Sequence, residues 1–329
     1  MRLNAAWEAH QMPRKHKAPT VISLFAGCGG SSLGYSMAGF RELAAVEWDS
    51  KATETFRANF STIPMFCEDI RHLNLDQMVV EDVDVLDGSP PCQGFSRVGR
   101  RKMRDSRNDL FQEFIRCLNR WHPKILIMEN VPGLIQGKMK LMFRDILTQL
   151  KQAGYDVKAW VLNAAAFGVP QSRERVFFVG TRNELASIPT YPQPSHTIAT
   201  TVRDAIQGTA IDDCGHISGR TAAMMRYVKQ GSNLSKYTGR AYGFSWTRCA
   251  WNRPAPTLIK QLTYGGTSIF HPTENRNLSI SELKRISSFP DAFRFDCSYR
   301  DAVAQMGNSV PPLFMKAIAN HIRTEFLGK

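Results

Sequence analysis

A cysteine follows two prolines at the end of an apolar run, and a cysteine held in this way could act as a nucleophile. In "VDVLDGSPPCQGFSRVGRR", residues 83–101, a predicted buried strand stops at Gly88 and leads through the prolines to Cys92. A free thiol has a pKa of about 8.5, so it needs a nearby positive charge or helix dipole to ionise at neutral pH. The arginines that follow could supply that charge. The alternative is a buried structural cysteine, which the polar and basic residues directly after Cys92 disfavour.

Two further groups at predicted strand ends could assist such a nucleophile. "MENVPG" places Glu129 at the end of a strand, where its carboxyl group could act as a general acid. "QSRERVFFVG" carries Arg173 and Arg175 at alternate positions, so both would lie on one face of a strand and could neutralise an oxyanion or a phosphate. Taken singly, these residues also fit ordinary surface ion pairs. Together with Cys92 they form the predicted catalytic set.

A glycine-rich turn and two acids predict a pocket for a nucleoside cofactor. "FAGCGGSSLG", residues 25–34, joins a predicted strand to a helix, and glycine there lets the backbone approach a ligand closely. Glu47 ends the next strand, where a carboxylate can accept both ribose hydroxyls. Trp48 could stack on a purine, and Asp69, at the end of a third strand, could accept from an adenine amine. For the glycines alone, a tight structural turn is the alternative.

Alternating segments between residues 20 and 180 predict a sheet that can bring these strand ends together. Such alternation favours parallel strands with helices on both faces, and "DVKAWVLNAAAFGVPQSRERVFFVGT" predicts an antiparallel pair at the sheet edge. After residue 188 a proline-rich linker leads into a basic, aromatic region, 210–275, without long helices. The predicted organisation has four parts: a flexible basic arm (1–18), a catalytic domain (19–188), a small recognition domain (189–298) and a C-terminal helix (299–329) that packs back on the catalytic domain.

Charge and cysteine content narrow the class of protein. The 329 residues carry a formal net charge of +13, which favours a polyanionic partner because Lys and Arg that neutralise phosphates release counterions. A merely basic enzyme is the alternative. The seven cysteines include no C-x-x-C pair, so neither a disulfide framework nor a structural zinc site is predicted. Without a membrane-length apolar run or a signal peptide, the sequence predicts a cytoplasmic protein.

From residue 20 to its end, the chain resembles the DNA (cytosine-5) methyltransferases of bacteria and phages. The motifs that carry the resemblance occur in the family's order: "FAGCGGSSLG", "VEWD", "EDI", "GSPPCQGFS", "MENVPG", "QSRERVF", "RNLSISELKRISSFPDAF" and "QMGNSVPP". The resemblance implies an α/β fold of the S-adenosylmethionine-dependent, Rossmann-like type, with a mixed sheet, helices on both faces and a small loop- and β-rich target-recognition domain.

The resemblance also implies a mechanism. Cys92 adds to carbon 6 of a cytosine, Glu129 protonates or hydrogen-bonds ring N3, Arg173 holds O2, and Arg175 supports the same site. Methyl passes from S-adenosyl-L-methionine to carbon 5, which leaves S-adenosyl-L-homocysteine. The cytosine must first be rotated out of the duplex, as methyltransferases do as a class. The basic stretch 97–107 would be the loop that closes over DNA.

Two sets of binding residues follow from the resemblance. The cofactor set is Phe25, Ala26, Gly27, Gly29, Gly30, Leu33, Glu47, Trp48, Asp69, Ile70, Pro90, Leu110, Asn308 and Val310. The DNA set is Gln93, Ser96, Arg97, Arg100, Asn233, Lys236, Arg240, Arg248 and Gln261. Members of the second set could read base edges or contact phosphates.

Several alternatives remain open from the sequence. A transfer-RNA cytosine methyltransferase would share the family motifs, and a catalytically silent DNA-binding module would share the scaffold. A nicotinamide oxidoreductase is disfavoured because its fingerprint would place glycine where this chain has Ser32. The expected partner is double-stranded DNA, with a cognate restriction endonuclease as a further candidate. The expected state is a monomer in the cytoplasm, associated with the nucleoid.

Overall fold

A seven-stranded mixed sheet lies at the centre of the protein. The structure is a computed structural model that describes residues 18–78, 82–91, 109–238, 246–261 and 268–328. In this sheet the strand order is β3-β2-β1-β4-β5-β7-β6. The strands are β1 (Thr20–Leu24), β2 (Arg41–Glu47), β3 (Met65–Cys67), β4 (Val85–Gly88), β5 (Ile125–Asn130), β6 (Tyr155–Asn163) and β7 (Glu174–Arg182). A separate parallel pair consists of β8 (Thr247–Arg248) and β9 (Ile269–Phe270).

The direction of the strands decides which side chains meet. β1 to β5 are parallel, so their carboxyl ends lie at one edge of the sheet. β7 runs antiparallel to β5, with Val176 beside Asn130, so the first residues of β7 lie next to the last residues of β5. β6 completes the edge as the antiparallel partner of β7. The strands β1, β4 and β5 are buried throughout, as expected for strands covered on both faces.

Helices cover both faces of the sheet. The α-helices of the described residues are α1 (Gly30–Met37), α2 (Ser50–Asn59), α3 (Asp109–Trp121), α4 (Lys140–Gln152), α5 (Val202–Ile206), α6 (Gly219–Met225), α7 (Ser235–Thr238), α8 (Ile280–Ile286), α9 (Tyr299–Asn308) and α10 (Pro312–Glu325). Short 3₁₀ turns span Ile70–His72, Leu75–Gln77, Pro132–Ile135, Gly137–Met139, Ala164–Phe167 and Asn183–Leu185. α3 and α4 pack on one face through Phe114 and Ile146, while α1 and α10 pack on the other through Tyr35 and Phe314.

The C-terminal helix returns to the first helix of the chain. A Cβ atom on Gly34 of α1 would lie 2.5 Å from Cβ of Met315 in α10, so only glycine permits this approach. Arg323 of α10 also donates to the backbone carbonyl of Ala38 at 2.7 Å. The C-terminal helix α10 therefore makes a close helix–helix contact with α1.

The region after residue 200 is built from short elements. Within its described residues the helices have at most seven residues until α9, and a small cluster of Met225, Val228, Leu234, Trp246 and Phe270 forms a local core. Another cluster packs Phe289 and Phe293 of the later chain against Phe56 and Phe60, on the side of α2. No helix in the described ranges is long and apolar enough to cross a membrane.

Candidate active site

A cavity of about 1890 Å³ opens at the carboxyl edge of the parallel strands. One end is lined by residues that follow β1, β2 and β3, and the other by Glu129 and Arg175. Segment 257–261 and the end of α9 line its remaining side. Most of the predicted cofactor residues and part of the predicted catalytic set therefore face one continuous space. Gln261 of the predicted DNA set also lines the cavity. Eleven of the fourteen predicted cofactor residues do so: Phe25, Ala26, Gly27, Glu47, Trp48, Asp69, Ile70, Pro90, Leu110, Asn308 and Val310.

Backbone hydrogen bonds hold the Glu47 carboxylate in place. Oε2 accepts the N–H of Gly27 at 2.9 Å, and Oε1 accepts the N–H groups of Trp48 and Asp49 at 2.9 Å each. Burial raises the pKa of Glu47 above its ordinary value, while the three N–H donors favour the ionised form. Gly27 has a φ of +57°, and a Cβ there would meet no atom within 4 Å, so this backbone faces open space. A ligand can approach both the carboxylate and the turn.

Two other predicted cofactor residues differ in how they present their side chains. Trp48 is 74% exposed, so its ring is free to cover a ligand at the cavity mouth. Asp69 caps the turn Ile70–His72 and forms an ion pair with Arg71 at 2.5 Å. The hydrogen bond from Arg71 lowers the pKa of Asp69 to about 2. Asp69 is therefore a fixed anion at the rim of the cavity.

Three residues assigned to the cofactor from the sequence serve packing instead. A Cβ on Gly29 would lie 2.4 Å from the Phe60 ring, and one on Gly30 would lie 2.2 Å from Oγ of Ser309. Leu33 is fully buried in a hydrophobic cluster with Phe56 and Phe60. None of the three lines the cavity. The assignment of Gly29, Gly30 and Leu33 to cofactor contact is therefore corrected to one of close packing around the turn.

The catalytic end of the cavity holds a buried ion pair. Nε of Arg175 lies 2.7 Å from Oε1 of Glu129, and the two side chains are 13% and 9% exposed. Asn130, which sequence reasoning did not assign, donates from Nδ2 to the carbonyl of Pro90 at 3.0 Å. This bond fixes the segment that leads to Cys92. The sequence feature that could have identified Asn130 is its position directly after Glu129 in "MENV". Cys92 itself lies outside the described residues.

The two predicted arginines lie in different surroundings. Arg173 is 1% exposed and donates to the carbonyls of Leu258 at 3.0 Å and Gly307 at 2.8 Å. Its guanidinium points into the protein and does not line the cavity, so the prediction that it holds a base is wrong. Burial lowers the pKa of Arg173 to about 9. Arg175, assigned a supporting role, is the arginine that pairs with Glu129.

The predicted DNA contacts other than Arg248 divide into three groups. Gln93, Ser96, Arg97, Arg100 and Arg240 lie outside the described residues. Lys236 and Gln261 are exposed, while the Asn233 side-chain oxygen accepts from Ser235 at 2.6 Å and from the N–H of Lys236 at 3.2 Å at the start of α7. Asn233 is thus partly engaged by its own turn.

Arg248 is an interior residue, which corrects its assignment to DNA. It is 4% exposed, and its guanidinium is surrounded by acceptors. The acceptors are the carbonyls of Met225, Val228, His271 and Glu274 and the side-chain oxygen of Asn275, at 2.5 to 3.0 Å. Its side chain therefore organises the loops of the small core and does not reach a DNA surface.

A buried carboxyl group beside the glycine-rich turn predicts a pH-dependent stability. Oε1 of Glu42 accepts from Oγ of Ser32 at 2.9 Å, and Oε2 is shielded from solvent although other atoms of the residue reach the surface. Burial raises the pKa of Glu42 from 4.5 to about 7. A carboxyl group with a raised pKa contributes stability that is fully present below pH 4.5 and is lost as the pH rises through 7.

We expect Glu42→Gln to remove this loss. Between the two pKa values each pH unit is worth about 1.4 kcal/mol, so the variant should gain on the order of 3 kcal/mol relative to the parent from pH 4.5 to pH 8. Urea unfolding at a series of pH values measures this difference. Glu54→Gln, on the exposed face of α2, is the matched control. A parent and Glu42→Gln variant with parallel stability profiles would contradict the expectation.

Comparison with known proteins identifies a family that the chain matches. The chain matches the family model described as C-5 cytosine-specific DNA methylase over residues 19–324. It is 36% identical over 326 residues to the Type II methyltransferase M1.HphI of Haemophilus parahaemolyticus, covering 92% of this chain and 86% of the relative. It is 32% identical over 324 residues to the Type II methyltransferase M.NgoFVII of Neisseria gonorrhoeae, with the same coverage of 92% and 86%.

Solved structures share the architecture. A crystal structure from E. coli, described as a DNA modification methyltransferase encoded within a prophage, aligns with a TM-score of 0.78 at 26% identity, covering 95% of this chain and 100% of that chain. A mutant DNMT2 of Spodoptera frugiperda aligns with a TM-score of 0.69 at 19% identity, covering 94% and 100%. At that lower identity the second likeness concerns the fold alone.

Proposed function

The chain belongs to the C-5 cytosine-specific DNA methylases and is a DNA (cytosine-5-)-methyltransferase, and from this premise we propose how its own residues perform the reaction. The family resemblance and the fold class predicted from the sequence are both confirmed. We propose that S-adenosyl-L-methionine is the methyl donor, that Cys92 forms a transient bond to the target base, and that Glu129 and Arg175 receive that base. The observation that carries this proposal is one cavity with Glu47 at one end and the Glu129–Arg175 pair at the other.

The residues at the first end of the cavity fit the proposed donor. A nucleoside needs an acceptor for its ribose hydroxyls, a flat apolar surface for its base and room beside the backbone. Glu47, the exposed ring of Trp48 and the open turn at Gly27 supply these three features. Phe25 and Val310, which also line the cavity, supply apolar walls. When bound there, S-adenosyl-L-methionine would supply an electrophilic methyl group on a sulfonium.

The chain's own part in the chemistry is to activate the base. Carbon 5 of cytosine is a weak nucleophile, and addition of the Cys92 thiolate to carbon 6 makes carbon 5 enamine-like. The negative charge that develops at ring N3 and O2 would be met by Glu129, acting as a proton or hydrogen-bond donor, and by the guanidinium of Arg175. After carbon 5 has gained its substituent, loss of the carbon 5 proton and elimination of the thiolate restore the ring. Covalent catalysis thereby divides one difficult step into easier ones.

The substrate is DNA, and the proposal is specifically that the target base is rotated out of a duplex. Extrusion costs roughly a few kcal/mol, which contacts in the pocket would offset. The excess of positive charge, +13 over the chain, favours binding to the phosphate backbone. We further propose a cognate restriction endonuclease, a monomeric state and a cytoplasmic location at the nucleoid. The Type II names of the relatives support the first of these.

A methylation assay with two substrates tests the proposal. Purified protein, labelled S-adenosyl-L-methionine and unmethylated bacterial genomic DNA should yield 5-methylcytosine in one short sequence context, as read by sequencing of the product DNA. Transfer RNA, offered in a parallel reaction, should remain unlabelled. If transfer RNA became labelled and DNA did not, the protein would instead be assigned as a transfer-RNA cytosine methyltransferase.

We expect Glu47→Ala to weaken cofactor binding by about 10- to 100-fold, because hydrogen bonds to a charged group contribute roughly 1.5–3 kcal/mol. The substitution also removes the acceptor that holds the N–H of Gly27. Calorimetric titration with S-adenosyl-L-homocysteine measures the change. Glu54→Ala on the exposed face of α2 should bind like the parent. Equal affinity in the two variants would remove Glu47 from the cofactor site.

A further inference from the structure

Residues 170–173 form a junction with segment 255–258. The N–H of Ala255 donates to the carbonyl of Pro170 at 2.9 Å, and the N–H of Ser172 donates to the carbonyl of Ala255 at 2.8 Å. The side chains extend this pairing, since Oε1 of Gln171 accepts the N–H of Leu258 at 3.3 Å. Oγ1 of Thr257 donates to the carbonyl of Ser172 at 2.8 Å. The beginning of β7 is thereby attached to a segment that is more than eighty residues away in the sequence.

The guanidinium of Arg173 closes this junction on a third element. One terminal nitrogen donates to the carbonyl of Leu258 at 3.0 Å and the other to the carbonyl of Gly307 in α9 at 2.8 Å. A Cβ on Gly307 would lie 2.6 Å from the backbone nitrogen of Lys260, so α9 and segment 255–261 touch backbone to backbone. The carbonyl of Arg173 itself accepts the N–H of Ala164 at 2.9 Å. Arg173 thus ties three parts of the chain at one point.

Each part tied by Arg173 continues into the cavity. Segment 257–261 lines the cavity on one side, and Asn308, next to Gly307, lines it on another. Two residues after Arg173, Arg175 forms the ion pair with Glu129. The hydrogen bonds of the Arg173 guanidinium therefore help to determine the distance between segment 257–261 and the Glu129–Arg175 pair.

A guanidinium at this point is costly if stability is its only purpose. Burial of a cation without a carboxylate partner carries a desolvation penalty, and no ion pair to Arg173 occurs among the residues that the structure describes. What the guanidinium supplies is a planar fork with two donors at a fixed separation, which an apolar or a single-nitrogen side chain does not reproduce. Its geometry is suited to holding two carbonyls of different segments in register.

We propose that Arg173 is a positioning residue that holds segment 255–261 against the Glu129–Arg175 pair, so that productive engagement of the target DNA depends on its two-carbonyl fork. The inference rests on the proposed function, because it assigns segment 257–261 to the side of the cavity that meets DNA. It does not give Arg173 any contact with the base. Gly307 precedes Asn308 of the predicted cofactor set, but Glu47, Trp48 and the turn at Gly27 lie at the other end of the cavity, so cofactor binding should depend on the fork far less than DNA turnover does.

The test compares two identical substitutions at different junctions. Arg173→Lys keeps the charge and removes the fork, while Arg323→Lys makes the same change where an arginine donates to the carbonyl of Ala38 between α10 and α1. For each variant we would measure the melting temperature, the affinity for S-adenosyl-L-homocysteine, and kcat and KM with unmethylated bacterial genomic DNA. A merely structural role would lower the melting temperature of both variants and leave the kinetic constants of the folded protein unchanged.

We expect a clear separation between the variants. Arg173→Lys should lose about 100-fold in kcat/KM for DNA, the cost of misplacing reacting groups by roughly 1 Å, with cofactor affinity kept. Arg323→Lys should stay within about twofold of the parent in kcat/KM. DNA kinetics in Arg173→Lys that match those of Arg323→Lys would overturn the proposal. So would a parallel loss of cofactor affinity, because it would mean that the whole cavity had collapsed.

If Arg173→Lys fails to fold, a milder variant tests the positioning role. Thr257→Val keeps the shape of the side chain and removes only the bond to the carbonyl of Ser172. We expect a loss of about three- to tenfold in kcat/KM for DNA with unchanged cofactor affinity, and kinetics equal to those of the parent would overturn the proposal. If the parent itself methylates no DNA, the proposed function fails and the positioning role with it. An active parent with unaffected variants refutes the positioning role alone.

Discussion

Cys92→Ser is expected to abolish methyl transfer, with a loss of at least about 10⁴-fold in kcat, while S-adenosyl-L-homocysteine still binds. A serine hydroxyl is far less ionised than a thiol at neutral pH and cannot add to carbon 6 at a useful rate. The cofactor end of the cavity is formed by residues after β1, β2 and β3, so it should not depend on this side chain. Incorporation of labelled methyl groups into DNA measures the loss, and calorimetric titration measures binding.

A trapping experiment separates loss of the nucleophile from general damage. With 5-fluorocytosine in the target position, the parent should form a stable covalent adduct with DNA, because the fluorine cannot leave as a proton does. The adduct should be absent in Cys92→Ser and present in Cys67→Ser, which replaces an exposed cysteine at the end of β3. An adduct in the Cys92 variant, or turnover above roughly a hundredth of the parent rate, would exclude Cys92 from the mechanism.

The proximity of Glu47 to the glycine-rich turn could be predicted from the sequence because it depends on the ends of neighbouring strands. Glu47 ends an apolar strand, and the glycines follow another, so a parallel sheet necessarily brings them to the same edge. The hydrogen bonds from Gly27, Trp48 and Asp49 to the Glu47 carboxylate follow from that topology. What the pattern could not show is which of the glycines line the cavity. Gly29 lies against the ring of Phe60, a contact between residues that are 31 positions apart in the chain.

The two arginines show where local pattern fails. Strand periodicity predicts that Arg173 and Arg175 lie on the same side of the chain, but it does not indicate what covers each one. The segment at Ala255 pairs with residues 170–172, and this long-range contact buries Arg173 while Arg175 stays at the cavity. Sequence reasoning assigned a base contact to the buried Arg173 because the covering segment is not visible in a strand pattern.

Arg248 illustrates a related failure in the small core. A basic residue in a loop-rich, aromatic region is typical of a DNA surface, and the sequence supported that interpretation. Loops, however, carry backbone carbonyls that strands and helices do not satisfy, and an arginine with five donors can satisfy several at once. The carbonyls of Val228 and His271 are among those bound by Arg248. Basic composition therefore overestimates the number of arginines that reach a nucleic acid.

The boundaries between domains remain a prediction for a similar reason. The proline-rich stretch after residue 188 marks a change in composition, but the hydrophobic clusters do not follow it strictly. Phe289 and Phe293, assigned to the recognition domain, pack with Phe56 and Phe60 of the catalytic domain. Composition marks where the sequence changes, whereas the extent of a hydrophobic core is decided by which residues are in contact. Limited proteolysis between residues 188 and 200 would show whether the two parts of the chain stay folded separately or only together.

Uncharged substitutions at Glu129 and Arg175 should distinguish the contribution of this pair to catalysis from its contribution to stability. Glu129→Gln is expected to reduce kcat by roughly 10²–10⁴-fold, the usual contribution of general acid catalysis, because an amide cannot protonate ring N3. Arg175→Met should be the less stable single variant, since it leaves Glu129 as a buried carboxylate without its partner at 2.7 Å. The double variant carries no unpaired charge, so it should recover much of that stability and remain inactive.

The surface offers a matched control for this comparison. Asp296→Asn breaks the pair between Arg294 and Asp296, whose side chains are 62% and 56% exposed, so it should change the free energy of unfolding by less than about 1 kcal/mol and leave kcat unchanged. Urea unfolding measures the stability, and methyl incorporation measures the activity, of the parent and of all four variants. Activity in the double variant would show that the pair holds the cavity open without taking part in the chemistry. Inactivity with recovered stability places the Glu129 proton and the Arg175 charge in the reaction itself.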